Sequence, residues 1–245
     1  MQDDFTYSYY RKSLLKLKDT HKFSFFDNYT HDDIILRHDV DISLNSALEM
    51  AELESEIGIY STYFILFHSP FYNPFSPTSS RMIRKILEMG HKIGLHYDSS
   101  YILENNLDAN VTIKQELKLF SQHFNEKINL FSAHNPTTNK KIILRLGNEF
   151  LDADEHKLKI NRKYISDSVQ NWREGSFLKF ANQSQLYVLI HPIWWTKNGE
   201  SREEILQSLV GGDLDQYKKE IQSLKKYQDE YLKMINKTNN ELQTT

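Results

Sequence analysis

Ile34-Ile35-Leu36-Arg37-His38-Asp39-Val40-Asp41 and Ile93-Gly94-Leu95-His96-Tyr97-Asp98 share one pattern, a short apolar run that ends in histidine and aspartate. A run of this kind reads as a buried strand that delivers polar side chains at its tip. The pattern recurs at Phe131-Ser132-Ala133-His134 and at Val188-Leu189-Ile190-His191. In parallel α/β folds, sites form at the carboxyl ends of strands. Arg37 to Asp41, His96 to Asp98, His134 and His191 are therefore expected at one rim.

Outward from these strands the chain alternates. A helix is expected over 8–18. Ser43 can cap a second, whose Leu44, Ala47, Leu48, Ala51 and Ile57 share a face and which Gly58 stops. Residues 59–67 are β-branched and aromatic, a buried strand. An ordered loop is expected over 68–78, then a helix from Met82 to Met89 with Gly90 as its cap. Helices over 111–124 and 138–146 and strands over 129–133, 149–153, 163–166 and 186–190 complete the alternation. Strands alternating with helices predict an α/β fold with a largely parallel sheet. No repeat or linker-like tract interrupts the chain, so residues 1–245 are expected to form one domain. Its last element is a charged helix over about 213–237, with Leu214, Tyr217, Ile221, Leu224, Tyr231 and Ile235 as its apolar stripe. That stripe is expected to pack on the domain, with a homodimer seam as the other option.

Composition narrows the function. Hydrophobic residues make up 39% and charged residues 26%, enough apolar material for a core. A net charge of −3 gives no electrostatic case for a nucleic-acid partner. There is no cysteine, so thiolate chemistry is excluded and any metal must be held by His, Asp or Glu. No apolar leader opens the sequence and no apolar stretch nears the roughly 20 residues of a membrane span. The expectation is a cytoplasmic protein. Neither a glycine-rich phosphate loop nor a Gly-x-Ser-x-Gly elbow is present, which disfavours nucleotide enzymes and serine hydrolases.

Within the rim, Asp39 and Asp41 are expected to face different sides, one on a metal and the other toward substrate as a base. A helix-capping turn is the bland alternative. His96 reads as a metal ligand with Asp41 as companion, and Asp98 as a carboxylate orienting a ligand or as a ligand itself. His91, which precedes its strand, reads as structural. His191, beside bulky aromatics, suits a general acid. Trp194 and Trp195 read equally as a sugar-stacking wall or as core.

These segments together resemble the polysaccharide deacetylase (NodB-homology, carbohydrate esterase family four) superfamily, from about residue 34 to 196. The branch most similar is one found in surface-polysaccharide gene clusters. The resemblance implies a distorted (β/α) barrel, with Asp39 as base and Asp41 as metal ligand. The second motif matches Gly90-His91-Lys92-Ile93-Gly94-Leu95-His96-Tyr97-Asp98-Ser99-Ser100, which makes His96 a metal histidine and puts Ser100 where a second one normally stands. The third, normally Arg-x-Pro, reads His134-Asn135-Pro136, without the arginine that steadies the base. His134 is the expected replacement ligand. The fourth resembles Tyr164-Ile165-Ser166-Asp167-Ser168 with Trp172, and the fifth, Leu189-Ile190-His191, makes His191 the general acid.

The implied activity is removal of an N-acyl group from an amino sugar or related amide, through hydrolysis of a linear C–N bond at a divalent metal, with zinc expected. The substrate is then a small molecule or a glycan used in surface polysaccharide biosynthesis, and the protein a monomer or homodimer. Arg37, Tyr72, Asp167, Trp194 and Trp195 make up the expected substrate-contacting set, with the loop Pro70-Phe71-Tyr72-Asn73-Pro74-Phe75 covering the ligand. The alternatives are a metal-free pseudoenzyme that binds glycans or forms complexes, and a non-sugar amidase of the same superfamily.

Overall fold

All seven residues of Ile34–Val40, the strand β2, are buried, as in a strand covered on both faces. The computed structural model describes residues 3–134, 142–155, 162–172, 175–183 and 185–209. These belong to two compact units, Met1–Glu200 and Ser201–Thr245. The second contributes a helix over 202–209, and the expected helix over 213–237 lies outside the described residues.

In the first unit β2 pairs with β3 (Thr62–Leu66) on one side and β8 (Leu186–Ile190) on the other. The sheet continues through β4 (Lys92–Asp98), β5 (Leu130–His134) and β6 (Leu151–Asp152) one way, and to β7 (Lys163–Ser166) the other. A short β1 (Phe23–Ser24) adds to the start of β2. Every pairing among the described strands is parallel. This is the expected distorted (β/α) barrel, in the form of a curled half-barrel. Phe26, Ile35, Phe64, Leu130, Ala153 and Tyr187 form one buried cluster, although β5, which carries Leu130, and β8, which carries Tyr187, are separated by three strands in the sheet order. The Tyr187 hydroxyl donates to the Ala153 carbonyl at 2.8 Å, so the concave face closes on itself.

Helices α1 (Tyr7–Lys18), α2 (Leu44–Glu56), α3 (Pro77–Glu88), α4 (Ser99–Glu104) and α5 (Ala109–Phe124) accompany the strands. A second core gathers Ala47 and Ala51 of α2, Ile83 and Ile86 of α3, and Leu117 and Phe120 of α5 with Tyr63, Ile65 and Leu95 of the strands. Ser43 caps α2 through the Ser46 amide, as expected. Helix α3 begins at Pro77, well before the anticipated Met82. Ser76 accepts from the Ser79 amide and the proline takes the first helical position, where no N–H is needed.

The expected helix over 138–146 is corrected in its described part, since residues 142–147 are not helical. Here tertiary contacts override propensity. Ile142 and Leu144 pack on the second core, and the Arg145 amide donates to Asn110 Oδ1 at 2.6 Å. Residues 138–141 lie outside the described residues. The register sets the rim directly. His96 is opposite Ser132 and Asp98 opposite His134, while His38 is opposite Ile190, the last residue before His191. The carboxyl ends of β2, β4, β5 and β8 thus share one edge.

Candidate active site

Positions two apart on a strand share a face. The expectation that Asp39 and Asp41 face different sides is therefore wrong, and the structure turns both carboxylates to His96. Asp39 Oδ2 lies 3.5 Å and Asp41 Oδ1 3.3 Å from His96 Nε2. Arg37, two residues earlier, joins them. Its Nε donates to Asp39 Oδ1 at 2.6 Å and its Nη2 to Asp39 Oδ2 at 2.9 Å, a two-point ion pair. Nη1 donates to Asp154 Oδ1 at 2.8 Å and to the Tyr187 hydroxyl at 2.9 Å.

Asp41, His96 and His134 offer three ligand atoms within 4.8 Å of one another. His134 Nδ1 is 3.3 Å from Asp41 Oδ1, and the two imidazoles meet edge-on at 81° with centroids 5.2 Å apart. His96 Nδ1 is hydrogen-bonded to Ser132 Oγ at 2.7 Å, which leaves Nε2 to face the carboxylates. Asp41 Oδ1 is buried with no aligned donor, although two imidazole nitrogens stand 3.3 Å away. A buried carboxylate oxygen without a donor is costly unless a cation completes it. One carboxylate with two imidazoles suits zinc and neighbouring divalent ions, so the residues present fit the implied metal.

Burial alone would raise the Asp41 carboxyl, but His134, His96 and His191 hold it well below the usual carboxylate range. Burial works against a charged His134, and the adjoining Asp41 carboxylate outweighs it and raises that imidazole. His191 follows the same balance. Burial opposes its charge, and Asp167, then Asp41 and Asp39, push it up to about 9. His191 Nε2 lies 3.9 Å from Asp41 Oδ2. Its Nδ1 meets Asp167 Oδ1 at 2.7 Å, and the Trp195 indole N–H donates to Asp167 Oδ2 at 2.8 Å.

Most of the expected substrate-contacting set is buried and engaged within the protein. Arg37 is 2% exposed and its guanidinium is occupied by Asp39, Asp154 and Tyr187. Asp167 is fully buried and aims His191. Trp195 is fully buried against Phe5 and Tyr10, and Trp194 is 8% exposed. The Tyr72 hydroxyl donates to the Val40 carbonyl and accepts from the Leu66 amide, tying β2 to β3. Asp98 lies outside the Asp41, His96 and His134 cluster. Its Oδ1 accepts from the Ser100 and Tyr101 amides and caps α4. His91 is structural, as expected. It is buried, with its Nε2 3.0 Å from the Ala51 carbonyl.

Sequence reading missed Ser132 and Asp154. The Asp154 carboxylate joins the Arg37 guanidinium to the Ala133 amide, which donates to Oδ2 at 2.8 Å. Its signal is a second Asp-x-Asp, Asp152-Ala153-Asp154, at a strand end.

No family model and no curated protein matches the chain. Among solved structures it resembles a carbohydrate esterase family 4 pseudoenzyme from Bacillus anthracis, at 12% identity over 74% of this chain and 61% of that one, TM-score 0.41. The match therefore spans less than two thirds of that protein's length. It also resembles a peptidoglycan deacetylase from Bacillus subtilis, at 17% identity over 76% and 91% of the two chains, TM-score 0.42. A third is a family 4 acetyl xylan esterase from Clostridium thermocellum in complex with a cobalt ion, at 10% identity over 75% and 84%, TM-score 0.39. Likeness at this level carries no chemistry, which rests on the side chains above. The solved structures that this chain is similar to also include a peptidoglycan N-acetylglucosamine deacetylase and a family 4 carbohydrate esterase from Bacillus anthracis.

Proposed function

We propose that this chain is a metal-dependent hydrolase that removes an N-acyl group from an amino sugar or related amide, in cytoplasmic steps of surface polysaccharide assembly. The observation that carries the chemistry is the convergence of Asp41, His96 and His134 around the donor-less Asp41 Oδ1. The sugar and its biosynthetic setting rest on the sequence resemblance. A divalent ion, zinc on the chemistry of the donors, would be held by those three residues. When bound it supplies Lewis acidity for the acyl carbonyl and lowers the pKa of water. Asp39, aimed by Arg37, takes the proton of the attacking water. His191, aimed by Asp167, gives a proton to the leaving nitrogen. A C–O bond forms, the C–N bond breaks, and a carboxylic acid and a free amine result.

A second reading has one observation of its own. Both Asp39 oxygens already accept from Arg37, which favours a pseudoenzyme that keeps the shape of the site without its base. One experiment separates the two. The protein is stripped with chelator, resupplied with zinc, and measured for bound metal and for acetate released from N-acetylglucosamine oligomers, beside Asp39→Asn. About one ion per chain, with release by the parent and none by Asp39→Asn, is the hydrolase outcome. Metal-free, inactive protein is the pseudoenzyme outcome.

A further inference from the structure

Beyond the candidate site, the outward side of α5 departs from the polar face expected of a surface helix. Val111 is 52% and Leu119 50% exposed. Helical spacing puts them on one side of α5, and Lys114 and Lys118 are exposed on that same side. The turn that enters the helix has the same character. Leu103 of α4 is 41% and Leu107 40% exposed, and the Leu107 amide folds the turn back by donating to the Ile102 carbonyl at 2.9 Å. An exposed apolar side chain needs no explanation singly, but a run along one helix and its approach does.

Helix α3 lies beside α5. Ser80 Oγ and His123 Nε2 are 2.8 Å apart, and Arg84 Nη1 donates to the Phe124 carbonyl at 3.3 Å. Arg81, Arg84 and Lys85 are exposed on α3. Against these cations and the two lysines of α5, the pair of helices exposes one carboxylate, Glu88, because Glu116 is buried and bonded to His68. On the turn, Asp108 accepts from the Asn110 and Val111 amides as the cap of α5, which leaves Glu104 as its exposed acid. Among the described residues none of the five cations is in an ion pair, unlike Arg11 with Glu56 or Lys92 with Asp27. The face is therefore basic on a chain whose net charge is −3.

We propose that this face, made by α3, α5 and the turn after α4, docks on an anionic lipid surface. A lipid interface takes both kinds of side chain at once. Apolar groups enter the boundary of the acyl region while lysine and arginine meet the phosphates above it. A protein partner fits less well, because lysine is depleted from the centres of protein interfaces and here stands among the apolar residues. A second copy in a twofold contact would set lysine against lysine. The docking does not depend on the chemistry of the metal site.

The test is sedimentation of the full chain with vesicles of phosphatidylcholine alone and of phosphatidylcholine mixed with phosphatidylglycerol. The mixed vesicles should bind at least about tenfold more tightly, and high salt should remove most of that difference. Lys114→Glu with Lys118→Glu should weaken binding to the mixed vesicles about tenfold or more. Val111→Ser with Leu119→Ser should weaken it about tenfold at low and at high salt. Leu15→Ser, on α1 and 42% exposed, should bind as the parent does. All of these side chains are exposed, so the fold survives, and urea unfolding of each variant checks it. Equal binding to the two kinds of vesicle, binding to neither, or parental binding by both double variants overturns the proposal. So does a dimer, seen by light scattering, that Val111→Ser with Leu119→Ser abolishes while no vesicle is bound, since the face then belongs to a second copy. The vesicles carry neither glycan nor zinc, so the result is separate from that of the acetate assay.

Discussion

Arg37 is the residue on which the reading of the site turns, because one guanidinium serves two carboxylates, Asp39 buried and Asp154 part-buried. Removing it leaves the buried Asp39 without its two-point partner, so Arg37→Met should cost about 3–5 kcal/mol in urea unfolding. Arg37→Lys keeps the charge and loses the two-point geometry. It should leave a folded protein whose kcat falls about 10–100-fold while KM stays near that of the parent, whereas a substrate contact would raise KM instead. The metal site gives a second test, with Ser100 outside the ligand cluster. His134→Ala should lower zinc affinity at least as much as His96→Ala does, by calorimetry, and Ser100→His in that background should recover part of it. Unchanged zinc affinity in His134→Ala would make that histidine structural. Asp41, His96 and His134 were legible as candidates because each stands at the tip of an apolar run, and the parallel sheet then aligns the tips. Arg37 was misread because a charged residue at a strand tip looks like a substrate contact. Its spacing of two residues from Asp39 and four from Asp41 places it on their face of a fully buried strand, where its charge must be met from within. Ser132 and Asp154 act across strands, through pairings that no local spacing records.

Among the elements, β4 has the least freedom. A Cβ on Gly94 would stand 2.6 Å from Phe64 Cε1 and 3.1 Å from the Leu130 carbonyl oxygen, inside the van der Waals limit on two sides. The ring can give slightly, but the β5 backbone cannot. Gly94→Ala should therefore push β4 away from its neighbours and cost about 1–3 kcal/mol. His96 lies two residues further on, so zinc affinity should fall with stability. An alanine variant with parental affinity would show that the rim does not follow the strand. The strands were legible because their apolar runs are dense and their ends polar. The helix edges were less so. Ser76-Pro77 is a cap followed by a first-turn proline, yet Pro70, Pro74 and Pro77 together looked like a loop. Residues 142–147 carry apolar side chains at helical spacing, but Leu144 and Leu146 are drawn to the second core in a non-helical path, and only the fold reveals that competition.

Over the whole molecule, the buried charge beneath the sheet governs how stability varies with pH. His38 points from β2 to the face opposite Asp39 and stacks on Tyr63, with centroids 4.2 Å apart. Its Nε2 lies 2.7 Å from Glu54 Oε1 of α2. The Tyr10 hydroxyl of α1 donates to the same carboxylate, as do Ser61 at 2.6 Å and Tyr63 at 3.1 Å. Glu54 has no exposed surface, so α1, α2, β2 and β3 are joined through one anion. Burial would raise its carboxyl, but His38, then His91 and the Ser61 hydrogen bond, bring it down to about 2. A carboxyl whose folded pKa lies below its unfolded value near 4.5 stabilises the fold above that value. The contribution is lost as pH falls from there toward 2. His91, lowered chiefly by burial, has the same sign, because protonation below its ordinary value favours the unfolded chain. Unfolding free energies from urea titrations at stepped pH should therefore fall steeply on the acid side, with Glu54 accounting for on the order of 3 kcal/mol. Glu54→Gln keeps the shape and removes the titration. It should start lower at pH 6, since His38 loses its anion, and then run flatter below pH 4.5. Parallel acid limbs for the parent and Glu54→Gln would mean that other carboxyls set the limit and that Glu54 enters the fold already neutral.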